Sequence, residues 1–237
     1  MPKHYFVADI HLGLKVQDLR VQEKVFVDWL DSIAPQAAAL YLLGDIFDFW
    51  REYKYVVPKG YVRVLGTLAQ WADRGVPIHF FKGNHDQWTF GYLEKELGIK
   101  VHDKPLDVQI GKARFYLGHD QGGGSGAFGS RFLQQCFGMM HPRWGMGLGH
   151  TWSARHRTKS VPPDAERDMI ESRYRFAVSF PHPVDYFLFG HLHTPFCTSL
   201  PGGSKLIGLG AWIDRGEYGV FDEHTGNFEV QTVRYGR

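Results

Sequence analysis

The chain is predicted to adopt an α/β fold of two packed sheets flanked by helices, and three observations lead there. Apolar strand-like runs alternate with amphipathic helical patterns through the first half. Short alternating segments separated by turns fill the last quarter. Several of the apolar runs stop at a small cluster of Asp, Asn or His. Strands alternating with helices imply a largely parallel sheet. Polar residues at the strands' carboxyl ends then share the edge where such sheets bind ligands.

Each element has its own signal. Residues 5–8 read as a buried strand ending at Asp9, 39–43 as one ending at Gly44-Asp45, and 77–81 as one ending at Gly83-Asn84-His85-Asp86. Residues 17–33 place Leu19, Val25, Phe26, Trp29, Leu30 and Ile33 at helical spacing, and 61–72 do the same with Leu65, Leu68 and Trp71. Residues 100–118 turn at Gly111 and read as hairpins. Short strands are expected at 186–189, 206–209, 218–221 and 228–233, with a turn at Thr225-Gly226-Asn227 between the last two.

Composition sets the class. At 237 residues, 43% hydrophobic and 22% charged, the chain has the profile of one globular domain over 1–237. Cys136 and Cys197 stand apart with no CxxC, which argues against a disulfide framework or a thiolate metal site. No apolar run approaches the ~20 residues of a membrane span. No signal peptide is expected, because Met1-Pro2-Lys3-His4 leads directly into the first strand. A cytoplasmic setting follows.

Residues 121–163 interrupt this pattern. They open on Gly122-Gly123-Gly124-Ser125-Gly126 and carry Arg131, Arg143, Arg155, Arg157 and Lys159 without one Asp or Glu. Since the whole chain is +2, the remainder stands at −3. Phe128, Phe132, Cys136 and Met139 or Met140 fall on one helical stripe, followed by Trp144, Met146, Leu148 and Trp152. Such a stripe packs onto a core or presents itself to acyl chains. Cations beside aromatics and Met suit anionic lipid. No nucleic-acid motif accompanies them, and no nucleic-acid partner is expected.

Five polar clusters carry the chemistry: Asp9-Ile10-His11, Gly44-Asp45-Ile46-Phe47-Asp48, Gly83-Asn84-His85-Asp86, Gly118-His119, and Gly190-His191-Leu192-His193. Alternation along an extended strand end puts both ligands of D-x-H, and both of H-x-H, on one side. Carboxylate and imidazole donors without sulfur suit Mn, Fe or Zn. Any one cluster can be turn chemistry; five in order, each closing an apolar run, point to a shared site.

Taken together, D-x-H, GD-x-x-D, GNH-D, GH and GH-x-H resemble the signature of the calcineurin-like metallophosphoesterases, whose fold is a two-sheet αββα sandwich. The resemblance implies two divalent metal ions, with manganese favoured. It implies Asp9, His11, Asp45 and His193 at the first, and Asp45 with Asn84, His119 and His191 at the second. It further implies that His85 is catalytic and that Asp48 or Asp86 orients an imidazole or caps a turn.

Within that superfamily the chain looks most like the UDP-2,3-diacylglucosamine pyrophosphohydrolases of lipid A synthesis. The features are its size, Leu43-Gly44-Asp45-Ile46-Phe47-Asp48-Phe49-Trp50, Gly208-Leu209-Gly210-Ala211-Trp212, and an insertion where that family carries a helical lid. It departs by having His85 where the best-known branch has Arg, and Asp120-Gln121 where the family reads Gly-Asp. The resemblance implies a UDP-linked diacyl sugar as substrate and peripheral contact with the inner face of a membrane. Phe128, Phe132, Met139, Arg131, Arg155 and Arg157 are the expected substrate contacts in a cap over 121–163. Two other classes stay open: a soluble phosphodiesterase or phosphoprotein phosphatase, and a non-catalytic scaffold of the same fold. Full retention of the ligands and of His85 argues against the scaffold.

Overall fold

The computed structural model describes residues 2–15, 18–122, 136–157 and 162–233. Phe128, Arg131, Phe132 and the side chains of Trp152, Arg155 and Arg157 lie outside the described residues. β1 (Lys3–Val7), β2 (Ala37–Leu42), β3 (Ile78–Phe81) and β4 (Lys100–His102) run parallel. β10 (Glu217–Asp222) joins β1 antiparallel, and β11 (Asn227–Thr232) joins β10 the same way. The second sheet has the order β5-β6-β7-β9-β8, from β5 (Leu106–Ile110), β6 (Ala113–Gly118), β7 (Tyr186–Phe189), β8 (Phe196–Ser199) and β9 (Lys205–Gly208).

Period-two alternation sends side chains to both faces of each sheet. Phe6, Ala8, Ala39, Tyr41 and Leu43 meet Phe115, Leu117, Leu188 and Ile207 between the sheets. Tyr5, Val7, Leu40 and Leu42 face outward under α1 (Leu19–Ile33) and α2 (Val62–Asp73), where Phe26, Trp29, Leu30, Leu65, Leu68 and Trp71 close a second core layer. The Asp18 carboxylate caps α1 by accepting from Arg20 and Val21 N–H. α3 (Tyr92–Leu97) lies beside α2. α5 (Pro163–Val178) covers the far face of the second sheet, through Tyr174 and Ala177 against Phe187 and Phe189. The layers are therefore α-β-β-α, as the sequence predicts.

Four local readings change. β4 joins the first sheet beside β3, so only β5 and β6 form the hairpin at Gly111. α5 was not predicted: it buries little more than Arg173 and Ala177, too few apolar positions for a periodic signal. The edge strand β8 is four residues of mixed burial and equally silent.

The fourth concerns α4 (Pro142–Arg157). Among its described residues the buried ones are Gly145, Gly149 and Ser153, whereas Trp144 and Leu148 of the expected stripe face outward. A Cβ at Gly149 would fall 2.3 Å from the Phe49 ring, and one at Gly145 2.3 Å from Tyr53 Oη. Met139 is 83%, Trp144 69% and Leu148 52% exposed.

Candidate metal centre

The parallel strands β1, β2 and β3 bring Asp9, Asp45 and Asn84 to one edge. The parallel β6 and β7 deliver His119 and His191 to meet them. The chain bends sharply at these tips. Six non-glycine residues among those described have positive φ, and Asp9, His11, Asp45, His191 and His193 are five of them. That region costs L residues energy and concentrates at functional sites. Close approach also demands glycine: a Cβ at Gly83 would lie 2.1 Å from Asp45 Oδ1.

Two groups of donors result. In the first, His193 Nε2 lies 3.4 Å from Asp9 Oδ1 and 3.3 Å from His11 Nε2. In the second, Asn84 Oδ1 lies 2.9 Å from His191 Nδ1 and 3.1 Å from His119 Nε2, and the two imidazole nitrogens are 3.3 Å apart. Asp45 Oδ2 sits between the groups, 3.8 Å from His11 Nε2 and 3.4 Å from His119 Nε2.

The remaining atoms are committed to backbone, which aims the others inward. Asp9 Oδ2 accepts from His191 N–H and Asp45 Oδ1 from His85 N–H, each at 2.8 Å. His119 Nδ1 donates to Leu43 O at 2.9 Å, fixing Nε2 as the inward nitrogen. Buried Gln22 of α1 holds the His11 loop, accepting from Gly13 N–H and donating to His11 O.

These residues fit divalent cations. Asp9 Oδ1 is buried and accepts no hydrogen bond among the described residues. Imidazole nitrogens converge on one another and on carboxylates, and no cysteine joins them among the described residues. Burial would raise the Asp45 carboxyl, yet His119, His85 and His11 hold it well below the usual carboxylate range. Burial likewise opposes a charge on His119, yet Asp45 and Asp9 lift it to about 10. A field that strong toward positive charge would also stabilise a bound cation. Divalent metals in such a pair supply an activated water and neutralise phosphate oxygens.

Around the donors, Asp86 and Asp48 take separate places. Asp86 is fully buried and accepts from the backbone N–H of Asp45, Ile46, Phe47 and Gly83, clasping two ligand loops. Burial and the neighbouring Asp45 push its pKa up to about 7, against the pull of those N–H groups. Asp48 instead lies beside imidazoles: His150 Nδ1 is 3.6 Å from its Oδ2, and its backbone O is 2.8 Å from His85 Nδ1. His85 Nε2 points toward Asp45, 3.9 Å from Oδ2, on the rim of the donor groups.

Sequence reasoning missed four residues here. Ser153 and His150 reach Asp48 from α4; Asp214 Oδ2 lies 3.5 Å from His193 Nδ1; buried Arg173 binds Asp120 and Gly190 O. The spacing of Gly145, Gly149 and Ser153 by four was the available signal for α4. Of the expected substrate contacts, Met139 stands exposed on the outside. A cleft lined by Phe49, Trp88, Phe137 and Gly149 reaches Asn84 and His85 beneath α4.

The chain belongs to the calcineurin-like phosphoesterase family, whose model matches residues 3–195. It is a hydrolase of that metal-dependent class. It is 34% identical to a UDP-2,3-diacylglucosamine hydrolase of Porphyromonas gingivalis over 94% of this chain and 95% of that one. It is 38% identical to another of Hahella chejuensis over 92% of each. Among solved structures it is similar to Yfce, a phosphoesterase from E. coli, with a TM-score of 0.45, 15% identity, and coverage of 98% of this chain and 100% of that chain.

Proposed function

We propose that this chain hydrolyses the pyrophosphate of UDP-2,3-diacylglucosamine, releasing UMP and 2,3-diacylglucosamine 1-phosphate for lipid A synthesis. The observation that carries this is likeness over almost the full length to relatives named for that hydrolysis. Asp9, His11, Asp45 and His193 would hold one metal, and Asn84, His119 and His191 the other, with Asp45 shared between them. Manganese is the metal we assign, on an oxygen- and nitrogen-donor set that iron and zinc also suit. His85, on the rim, protonates the leaving oxygen.

The surroundings suit a lipid. We read 121–163 as a cap inserted in one domain, with Phe128, Arg131, Phe132, Met139, Arg155 and Arg157 as its substrate contacts. The outward face of α4 carries Trp144 and Leu148, and Met139 stands exposed in the turn just before it. A groove of about 670 Å³ beside it is lined by Tyr53, Val56, Val57, Phe90 and Lys95. Each methylene buried in such surfaces contributes about 0.8 kcal/mol. No helix among the described residues is long and apolar enough to cross a membrane. In this reading, contact with the inner leaflet is peripheral, through the α4 face and the cap's cations.

The test is turnover of UDP-2,3-diacylglucosamine in detergent beside an aryl phosphodiester, with manganese added. Long-chain substrate should be strongly preferred, and Met139→Ser and Trp144→Ser should weaken its hydrolysis selectively. Equal rates on both substrates, or equal losses in folded variants, would replace this reading with a soluble phosphodiesterase.

A further inference from the structure

The small-residue face of α4 does more than seat a helix. Because Gly145 and Gly149 bring its backbone against Tyr53 and Phe49, a side chain as short as serine reaches the metal-site rim from the next turn. Ser153 is completely buried. Its Oγ donates to Asp48 Oδ1 at 2.5 Å and lies 3.2 Å from His85 Nδ1.

We propose that Ser153 is a positioning residue for the hydrolytic reaction, linking α4 to His85 and fixing which nitrogen of that ring faces the substrate. This rests on His85 being the proton donor. A serine hydroxyl has one hydrogen, and the 2.5 Å contact assigns it to Asp48. Oγ therefore turns lone pairs toward His85 Nδ1. The second oxygen at that nitrogen, Asp48 O at 2.8 Å, only accepts. Both neighbours require Nδ1 to carry hydrogen. Nε2, on the Asp45 side, becomes the nitrogen that exchanges a proton with the substrate. As water's oxygen bonds to phosphorus, giving up one proton to solvent, the bond to the leaving oxygen breaks and the leaving oxygen keeps the bonding pair. It takes the proton from Nε2, which is left with a lone pair. The Asp48 carboxylate, reached through the serine hydroxyl, holds the ring in that orientation.

The consequence is that α4 and the proton donor are coupled. Helix seating completes the rim, so anything that lifts α4 disorients His85 without touching a metal ligand.

The test uses the full chain with an aryl phosphodiester too small to need the α4 outer face. Ser153→Ala should lower kcat by about 10- to 100-fold, the usual loss when a supporting partner is removed. KM should be unchanged, with two metals per chain retained by elemental analysis. Nitrogen-15 spectra of the diamagnetic zinc-loaded protein should show the Nδ1–H form of His85 in the parent and a mixture in the variant. Gly149→Ala, which pushes the helix off Phe49 but keeps the serine, should reproduce both changes and carries the test if Ser153→Ala does not fold. Wild-type kcat and an unchanged ring form in either folded variant would overturn the proposal, as would loss of metal in step with activity. His85→Ala separates the levels. If it stays fully active, the reading of His85 as proton donor is the part that fails. If it is inactive while Ser153→Ala is normal, only the coupling fails.

Discussion

Arg173 and Asp120 form an ion pair at 3.1 Å in which the arginine is fully buried and the carboxylate half in water. The same guanidinium donates to Gly190 O at 3.2 Å and lies over the Phe189 ring. One residue of α5 thus holds the loops that follow both β6 and β7, those bearing His119 and His191. Burial pulls the arginine's pKa down and Asp120 opposes it, while Arg173 helps hold Asp120 below the usual carboxylate range against its own desolvation.

Arg173→Met should therefore cost on the order of 2 kcal/mol, less than the ~3–5 of a fully buried pair because Asp120 remains hydrated. Urea denaturation measures it. Metal affinity at the His119 and His191 group should fall in the folded variant; unchanged affinity would mean the clamp serves stability alone.

Asp45→Ala is expected to lose metal from both groups, because its carboxylate stands between them. Gly83→Ala should have the same effect without removing a donor, since the new Cβ would displace Asp45 Oδ1. Elemental analysis decides; two metals per chain in Asp45→Ala would take the bridge away from this residue.

His85→Ala is expected to keep both metals and lose turnover by roughly 10²–10⁴, the usual contribution of a positioned acid. Stoichiometric metal loss in this variant would make His85 a ligand.

Acid stability should depend on a pair far from the metals. His79 Nδ1 lies 2.9 Å from His102 Nε2. Burial first, then His102 and Lys100, push the His79 pKa from 6.5 down to about 4. Below pH 6.5 the unfolded chain binds a proton that the folded one refuses, so stability falls with pH until about 4. His79→Phe, which keeps the stack on Tyr41, should flatten the loss between pH 6.5 and 4 in chemical denaturation. Parallel curves for the two proteins would show that this imidazole does not control it.

The donor set was legible because each member ends an apolar run, a local pattern that survives without knowledge of the partner strand. Asp9, Asp45 and Asn84 announce themselves in this way. Arg173 does not: on α5 it looks like one more surface cation among Arg167, Asp168, Glu171 and Arg175. Ser153 is hidden for a related reason. It lies in a stretch whose large apolar residues suggested the packed face, whereas close helix seating selects small residues and turns Trp144 and Leu148 outward. Only the approach of a non-local partner, Asp120 or Asp48, gives either residue its role.

The tips that meet at the metals come from distant parts of the chain: His11 touches His193 across 182 residues, and Asp9 holds His191 N–H across 182. No short fragment contains either donor group. As the polypeptide emerges from a ribosome, Asp9 and Asp45 therefore cannot chelate tightly until His191 and His193 have followed them. Metal capture then acts as a seal on assembly and not as its seed, because loop closure of that span must precede it.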